Sequence, residues 1–231
     1  WGLRRMLPAE QLAAESKDAI KLGLGIVMTL SALVLGLLVA SAKSGYDMRR
    51  SEINQITSGL ILLDYLMSKY GDDARTVRRA LRKEVPLVTS RIWNEEQAYS
   101  SHPGPFRPLP QGEILYQEIQ DLKPKDEAQQ ELKRRILQVT HELAQVRLSL
   151  FSHLSSSIPL PFLVVLLSWI AVLFAGFSVM APAKIMPLSF LFVSALSVSG
   201  AIFLVLELDQ PFAGFMMIPN EHLLSVLQPL D

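Results

Sequence analysis

The sequence predicts an all-α integral membrane protein with three transmembrane helices and a helical domain outside the membrane. Half of the 231 residues are hydrophobic and only 19% are charged, a composition typical of membrane proteins. The charges are also segregated, because 17 of the 22 Lys and Arg lie between Lys43 and Arg147. Three long uncharged stretches flank that segment, whereas a soluble protein distributes its charges over all of its surface elements.

The first uncharged stretch extends from Leu22 to Ala42 and predicts the first transmembrane helix. At about 1.5 Å per residue such a helix is about 31 Å long, which matches the hydrocarbon core of a bilayer. Lys21 and Lys43 bracket this stretch. The preceding residues 1–21 are predicted to form an amphipathic segment.

Two further stretches, at residues 158–183 and 185–206, predict the second and third transmembrane helices. Because only Lys184 separates them, we expect a tight antiparallel hairpin. Buried helices of a soluble protein are the alternative interpretation. Three such uncharged helices in one small chain would leave too little polar surface for a soluble fold, so the membrane is favoured.

Residues 43–157 are predicted to form a helical extramembrane domain, and residues 207–231 a C-terminal tail. From Tyr46 to Met67 the apolar residues keep a helical spacing, so the first span is expected to continue as one long helix. Gly71 predicts the end of that helix.

Beyond Gly71, Asp72 and Asp73 predict the N-cap of a basic helix. A short helix that includes Trp93 should follow. The proline- and glycine-rich residues 102–112 then predict a loop.

The longest helix of the domain is predicted at residues 124–154, where apolar residues recur with alternating spacings of four and three. This coiled-coil-like seam consists of Leu132, Ile136, Val139, Leu143, Val146 and Leu150. Its partner is either the helix after Tyr46 in the same chain or a neighbouring subunit. We favour the partner in the same chain, because a heptad stripe this short is more often used for packing within one chain.

The composition argues against several classes of function. The net charge is zero, and residues 43–147 carry only 17 − 15 = +2, so the concentrated basic surface that nucleic acid requires is not expected. The chain has no cysteine, and its four histidines are scattered, so we predict no metal site and no cofactor. No phosphate-binding or hydrolase motif is present, so no enzymatic activity is expected.

A charged cluster follows the first span and comprises Arg49, Arg50, Glu52 and Asn54. In one interpretation it is an interfacial anchor, in which the arginines reach lipid phosphates while the acidic residues pair along the helix. In the other it is a charged vestibule at the end of a pore, where the cations raise the local concentration of anions.

A second cluster follows the last span and comprises Glu207, Asp209, Pro211, Phe212 and Gly214. Two carboxylates at the C-terminus of a helix are unfavourable for its dipole, so a compensating cation of the central domain is expected. The cluster is either a helix end turned by proline and glycine, or a latch or weak cation site between the tail and the central domain.

Small residues form a stripe on the first span: Gly25, Thr29, Ala32, Gly36 and Ala40. A second stripe on the last span comprises Ser194, Ser197 and Ala201. Small residues in a membrane usually mark close contact between helices, because lipid supplies no hydrophobic drive for association. The same residues are also suited to lining a pore.

Two motifs carry a resemblance to a known family. They are Tyr46-Asp47-x-Arg49-Arg50-x-Glu52-x-Asn54 after the first span and Leu208-Asp209-x-Pro211-Phe212-x-Gly214 after the last. The chain resembles, over nearly its whole length, the bestrophin-like family of bacterial membrane proteins, a domain-of-unknown-function group distantly similar to bestrophin anion channels. The resemblance implies one further span before Trp1. It also implies a bacterial inner-membrane location with the central domain and the C-terminus in the cytoplasm.

The resemblance further implies a homo-oligomer, a pentamer in bestrophins, around a pore for small inorganic anions. The span Leu22 to Ala42 would line that pore, with Leu33 and Leu37 as an apolar constriction. The sequence departs from bestrophins in having no acidic run like their calcium clasp and no phenylalanine in this span. The alternative function is a non-conducting membrane scaffold that binds a partner through its cytosolic helices. A transporter is a third possibility, disfavoured because no span carries a charge.

Overall fold

The computed structural model describes residues 14–83, 85–86, 89–90, 110–152, 158, 160–181, 184–210, 212 and 215–219. Within these residues the fold is helical and contains no strand, which confirms the predicted all-α class. The helices are α1 (Ala14–Tyr70), α2 (the helical residues 75–83), α3 (Pro110–Asp121), α4 (Glu127–Ser152), α5 (Leu160–Met180) and α6 (Ile185–Leu208). Three of them, α1, α5 and α6, are long and apolar enough to cross a membrane.

Helix α1 is a single element of 57 residues. It contains the predicted first span and continues without a break through Lys43 and Tyr46, as the apolar spacing predicted. The helix already includes Ala14, so the segment before the span is helical from that residue onward. No loop therefore intervenes between the predicted span and the helical residues that follow it.

The chain divides into two compact units. The membrane unit consists of Trp1–Gly45 and Ser157–Asp209, and the polar unit consists of Tyr46–Ser156 and Gln210–Asp231. In the membrane unit, most large apolar side chains of α5 and α6 are exposed. Such surfaces are stable when lipid is the solvent, because lipid tails cover them without the cost that water imposes.

The polar unit has a hydrophobic core to which α1, α2, α3 and α4 all contribute. Its best-buried members include Leu63, Met67 and Tyr70 of α1, together with Val77, Leu81, Ile119, Ile136 and Val139 from the other three helices. A second cluster joins α1 and α4 to the tail through Ile53, Ile56, Leu150, Phe212 and Ile218. The predicted seam of α4 therefore packs against α1 of the same chain, which confirms the intrachain partner.

Helix α1 ends at Tyr70 because Gly71 adopts a positive φ of 102°, a conformation that favours glycine. A 3-10 helix, Asp72–Ala74, follows. The predicted N-cap role of the two aspartates is wrong, because Gly71 occupies the cap position and no side chain caps this helix. Asp72 instead pairs with Arg75 at 2.8 Å, and Asp73 pairs with Lys125 at 2.6 Å.

The predicted end of the loop at residue 112 is wrong, because residues 110–112 already belong to helix α3. Pro110 stands at its first position, where the missing N–H costs nothing. The α3 end is stabilised by Lys133 of α4, whose ammonium group donates to the carbonyl oxygens of Gln120 (2.6 Å) and Leu122 (2.8 Å). Trp93 and residues 102–109 lie outside the described residues.

Candidate ion pathway along the first helix

The membrane part of α1 has one face that is buried by its own chain. Leu24, Ser31, Leu38 and Ala42 form that face, with spacings of seven, seven and four residues. Leu24 approaches α5 so closely that a β-carbon on Gly176 would lie 2.6 Å from its Cδ2 atom. The glycine thus permits the contact between α1 and α5, as small residues do between membrane helices.

The small-residue stripe lies on a different side of α1. Thr29, Ala32, Gly36 and Ala40 are exposed and Gly25 is half-buried. A β-carbon added to Gly25 or Gly36 would meet no atom of the described chain within 4 Å. The stripe is therefore not a contact surface for α5 or α6 of the same chain.

The two residues proposed for a constriction are also uncovered. Leu33 is 69% exposed and Leu37 is 60% exposed. The only hydroxyl on the stripe, that of Thr29, donates to the carbonyl oxygen of Gly25 at 2.9 Å. The hydroxyl is thus turned toward the backbone, and the exposed surface of this part of α1 is almost entirely apolar.

The hydroxyl groups of the stripe on the last span are also hydrogen-bonded within their own helix. The hydroxyls of Ser194 and Ser197 donate to the carbonyl oxygens of Phe190 and Val193, one turn earlier in α6. Serine hydroxyls bonded back to the helix add little polarity to a surface in lipid.

The structure separates the residues of the first charged cluster. Arg49 is only 2% exposed and Glu52 is buried, whereas Arg50 and Asn54 are exposed. Glu52 accepts a hydrogen bond from the Ser149 hydroxyl of α4 at 2.6 Å. Arg50 is therefore the arginine of this pair that faces solvent.

The residues of the tail cluster also differ in their surroundings. Phe212 is 1% exposed and packs with Ile53 and Ile56 of α1 and with Leu150 of α4. Glu207 and Asp209, at the end of α6, are half-buried. The latch residues Pro211 and Gly214 lie outside the described residues.

Between Arg50 and Lys69, which are themselves exposed, the exposed surface of α1 carries no charge. Between Ser51 and Ser68, a segment that is described throughout, eight residues are exposed: Ser51, Asn54, Gln55, Ser58, Ile61, Leu62, Tyr65 and Ser68. We call these eight residues the uncharged strip. On α4, by contrast, the exposed surface includes Glu131, Arg134, Arg135 and Glu142, as expected for a helix in contact with bulk water.

Three charged residues beside this strip form a site that the sequence analysis did not identify. Asp64 of α1 is 9% exposed, and it accepts hydrogen bonds from two arginines of the following helical segment. Arg78 donates through Nε (2.8 Å) and Nη2 (2.7 Å), and Arg82 donates through the same two groups at 3.0 Å. The available signal was Asp64 itself, the one charged residue between Ile53 and Met67.

The Asp64 carboxylate remains ionised at all ordinary pH values. Burial alone raises the pKa of Asp64, but the hydrogen bonds and positive charges of Arg78 and Arg82 outweigh burial and lower that pKa from 3.8 to about 2. Asp64 lies 64 − 42 = 22 residues beyond Ala42, which is about 33 Å along a helix and well outside the hydrocarbon core.

Comparison with known proteins identifies one family. A family model described as Bestrophin-like domain matches residues 1–223, almost the whole chain. No curated protein and no solved structure matches the chain. The family match agrees with the resemblance carried by the two motifs, and it covers both the apolar helices and the polar unit.

Proposed function

This chain belongs to the bestrophin-like family, and from that premise we propose that it is an oligomeric channel for small inorganic anions whose pathway is lined by α1. Its three apolar helices and its family make it a membrane protein. The proposal involves binding and passage of an ion and no chemical reaction.

One observation supports the proposal more than any other: no described residue of the same chain covers the small-residue stripe of α1. Membrane helices expose glycine where another backbone or a narrow water path comes close, because lipid gains little contact from a surface without side chains. The large side chains of Leu33 and Leu37 beside the stripe are suited to an apolar constriction that gates by loss of water.

A single α1 helix cannot enclose a pathway, so the proposal requires several copies around one axis. The resemblance to bestrophins favours five. Native mass spectrometry of the purified protein in detergent measures the number directly, and a monomer would contradict the proposal.

The proposed orientation places the polar unit in the cytoplasm of a bacterial cell. Because these 231 residues contain no cysteine, Ser58→Cys introduces a thiol on the uncharged strip. A membrane-impermeant maleimide should label this thiol only after the cells are made permeable. Labelling of intact cells would place the polar unit outside.

Conduction is tested by anion flux from liposomes that contain the purified protein. We expect chloride or nitrate flux in the wild type and a loss of about tenfold or more in Ala32→Trp, because the indole would fill the space beside the stripe. The matched control is Val193→Trp at an exposed position of α6, for which flux should be retained.

Arg50→Glu tests the charge at the end of the membrane part of α1. Reversing this exposed charge should lower the local concentration of anions. The preference for anions over cations, measured from the reversal potential, should therefore fall by about twofold to threefold. Background flux in the wild type would remove the channel proposal and favour a non-conducting scaffold that uses the uncharged strip to bind a partner.

A further inference from the structure

The arrangement of Asp64, Arg78 and Arg82 leaves hydrogen-bond donors unused. Each guanidinium has five N–H donors. Both arginines donate hydrogen bonds to Asp64 through Nε and Nη2. The Nη1 groups therefore point away from the carboxylate. Among the described residues, no protein acceptor is bonded to either Nη1 group.

The charges of these three residues do not cancel. Two guanidinium ions and one carboxylate sum to 2 − 1 = +1, and the carboxylate stays ionised because its pKa is about 2. The side chains of Arg78 and Arg82 are 32% and 31% exposed, whereas that of Asp64 is 13% exposed. The positive charge is thus presented to solvent, and the negative charge that holds it in place is not.

Two fixed guanidinium groups that share one carboxylate also repel each other. A second anion on the open side reduces that repulsion and accepts donors that are already oriented. Preorganised donors bind an anion without the loss of side-chain entropy that free surface arginines incur. This feature distinguishes Arg78 and Arg82 from Arg79, which is exposed and bonds a carbonyl oxygen of its own helix.

We infer that Arg78 and Arg82, held by Asp64, form a binding site for a small inorganic anion beside the uncharged strip of α1. On the surface of α1, Asp64 neighbours Ile61 and Ser68 of that strip at helical spacings of three and four residues. The strip itself offers hydroxyl and amide groups and no charge, whereas Arg78 and Arg82 are held beside it by their ion pairs with Asp64.

The inference deepens the proposed function, on which its role in conduction rests, whereas anion binding itself does not depend on conduction. In a channel, the site would attract permeant anions to the extramembrane part of the pathway. A net charge of +1 suits this role, because it favours a monovalent anion without holding it as tightly as two unpaired arginines would.

The direct test is equilibrium binding of chloride to the purified full chain in detergent. Chloride replaces gluconate at constant ionic strength, and binding is followed by line broadening in chloride NMR. The key variant is Arg82→Gln, which leaves the complete Arg78–Asp64 pair with a net charge of zero. We expect its chloride affinity to fall by about tenfold, since the charge and half of the donors are lost.

Arg79→Gln is the matched control, because it removes one arginine from the same helical segment and leaves the three-residue site intact. Its chloride affinity should equal that of the wild type. If the chloride affinity fell equally in both variants, the effect would come from the general positive charge of this segment, and the inference would be overturned. Absence of saturable binding in the wild type would overturn it as well.

Folding of Arg82→Gln is checked by thermal unfolding, and the reciprocal variant Arg78→Gln gives a second test if the first one unfolds. Flux separates the two proposals. Saturable chloride binding with background flux supports the site and rejects the channel. If flux is normal but Arg82→Gln and Arg79→Gln do not differ in chloride binding or anion selectivity, the site is rejected and the channel proposal is kept.

Discussion

The Cδ2 atom of Leu24 on α1 lies 2.6 Å from the position that a β-carbon on Gly176 of α5 would occupy. No side chain fits at Gly176 unless Leu24 moves, and Leu24 is itself buried. The pair therefore sets how closely two membrane helices of this chain approach each other.

Gly176→Leu should lower the thermal stability of the protein in detergent, because a large side chain would force α1 and α5 apart. Overpacking of this kind costs about 1–3 kcal/mol. The control is Gly200→Leu on α6, where an added β-carbon meets nothing within 4 Å in the described chain. Equal melting temperatures for the two variants would show that the close contact does not contribute to folding.

Asp64→Asn should destabilise the polar unit, because a neutral amide cannot balance Arg78 and Arg82. We expect a loss of about 2–3 kcal/mol, less than for a fully buried pair since both arginines are about a third exposed. Hydrogen exchange of α1 and of residues 75–83 measures the loss. Asp72→Asn is the control, since its pair with Arg75 is exposed, and it should change protection very little.

The same carboxylate predicts a defined acid response. The folded pKa of Asp64, about 2, lies below the ordinary value of 3.8, so its contribution to stability is present above pH 3.8 and is lost as the pH falls toward 2. Thermal unfolding should show that the wild type has a higher free energy of unfolding than Asp64→Asn. This difference should be constant from pH 7 to 5 and should shrink below pH 4. A difference that stayed constant down to pH 2 would contradict the assigned ion pairs.

Phe212→Ala should detach the tail from α1 and α4 of the polar unit. The ring is 1% exposed in the cluster with Ile53, Ile56 and Leu150, and its removal costs about 3 kcal/mol. Limited proteolysis should then cut the tail faster than in the wild type. Phe215→Ala is the control, because that side chain is 92% exposed; faster cleavage in both variants would point to a general effect of shortening the tail.

Lys133→Met should destabilise α3, because the ammonium group of Lys133 donates to two carbonyl oxygens at the end of that helix. Loss of a charge-assisted cap of this kind costs about 1–2 kcal/mol, seen as faster hydrogen exchange at residues 115–122. Arg134→Gln, which removes an exposed pair with Glu131, provides the comparison and should leave that exchange unchanged.

The helical architecture was predictable where the apolar pattern was long. Uncharged stretches of bilayer length predicted the spans, and the spacing from Tyr46 to Met67 predicted the continuous α1. Helix α3 was missed, because proline and glycine at residues 103–112 indicated a loop. Pro110 is nevertheless compatible with a helix, since the first N–H groups of a helix have no acceptor within it.

The side-chain environments were less predictable because they depend on which face of a helix is covered. Arg49 and Arg50 are neighbours in sequence, yet a rotation of about 100° per residue places one inside and the other outside. The site at Asp64 was missed for a related reason. Its arginines lie 14 and 18 residues away, and only the turn at Gly71 brings α2 back against α1.

The unbroken passage of α1 from lipid into water constrains how the length of this chain can change. Inserting one residue between Lys43 and Tyr46 would advance every later position of α1 by about 1.5 Å and turn it by about 100°. A loop absorbs such an insertion locally, but a continuous helix passes it on to all the residues that follow. We therefore expect an insertion here to be far more damaging than one in a connection between helices.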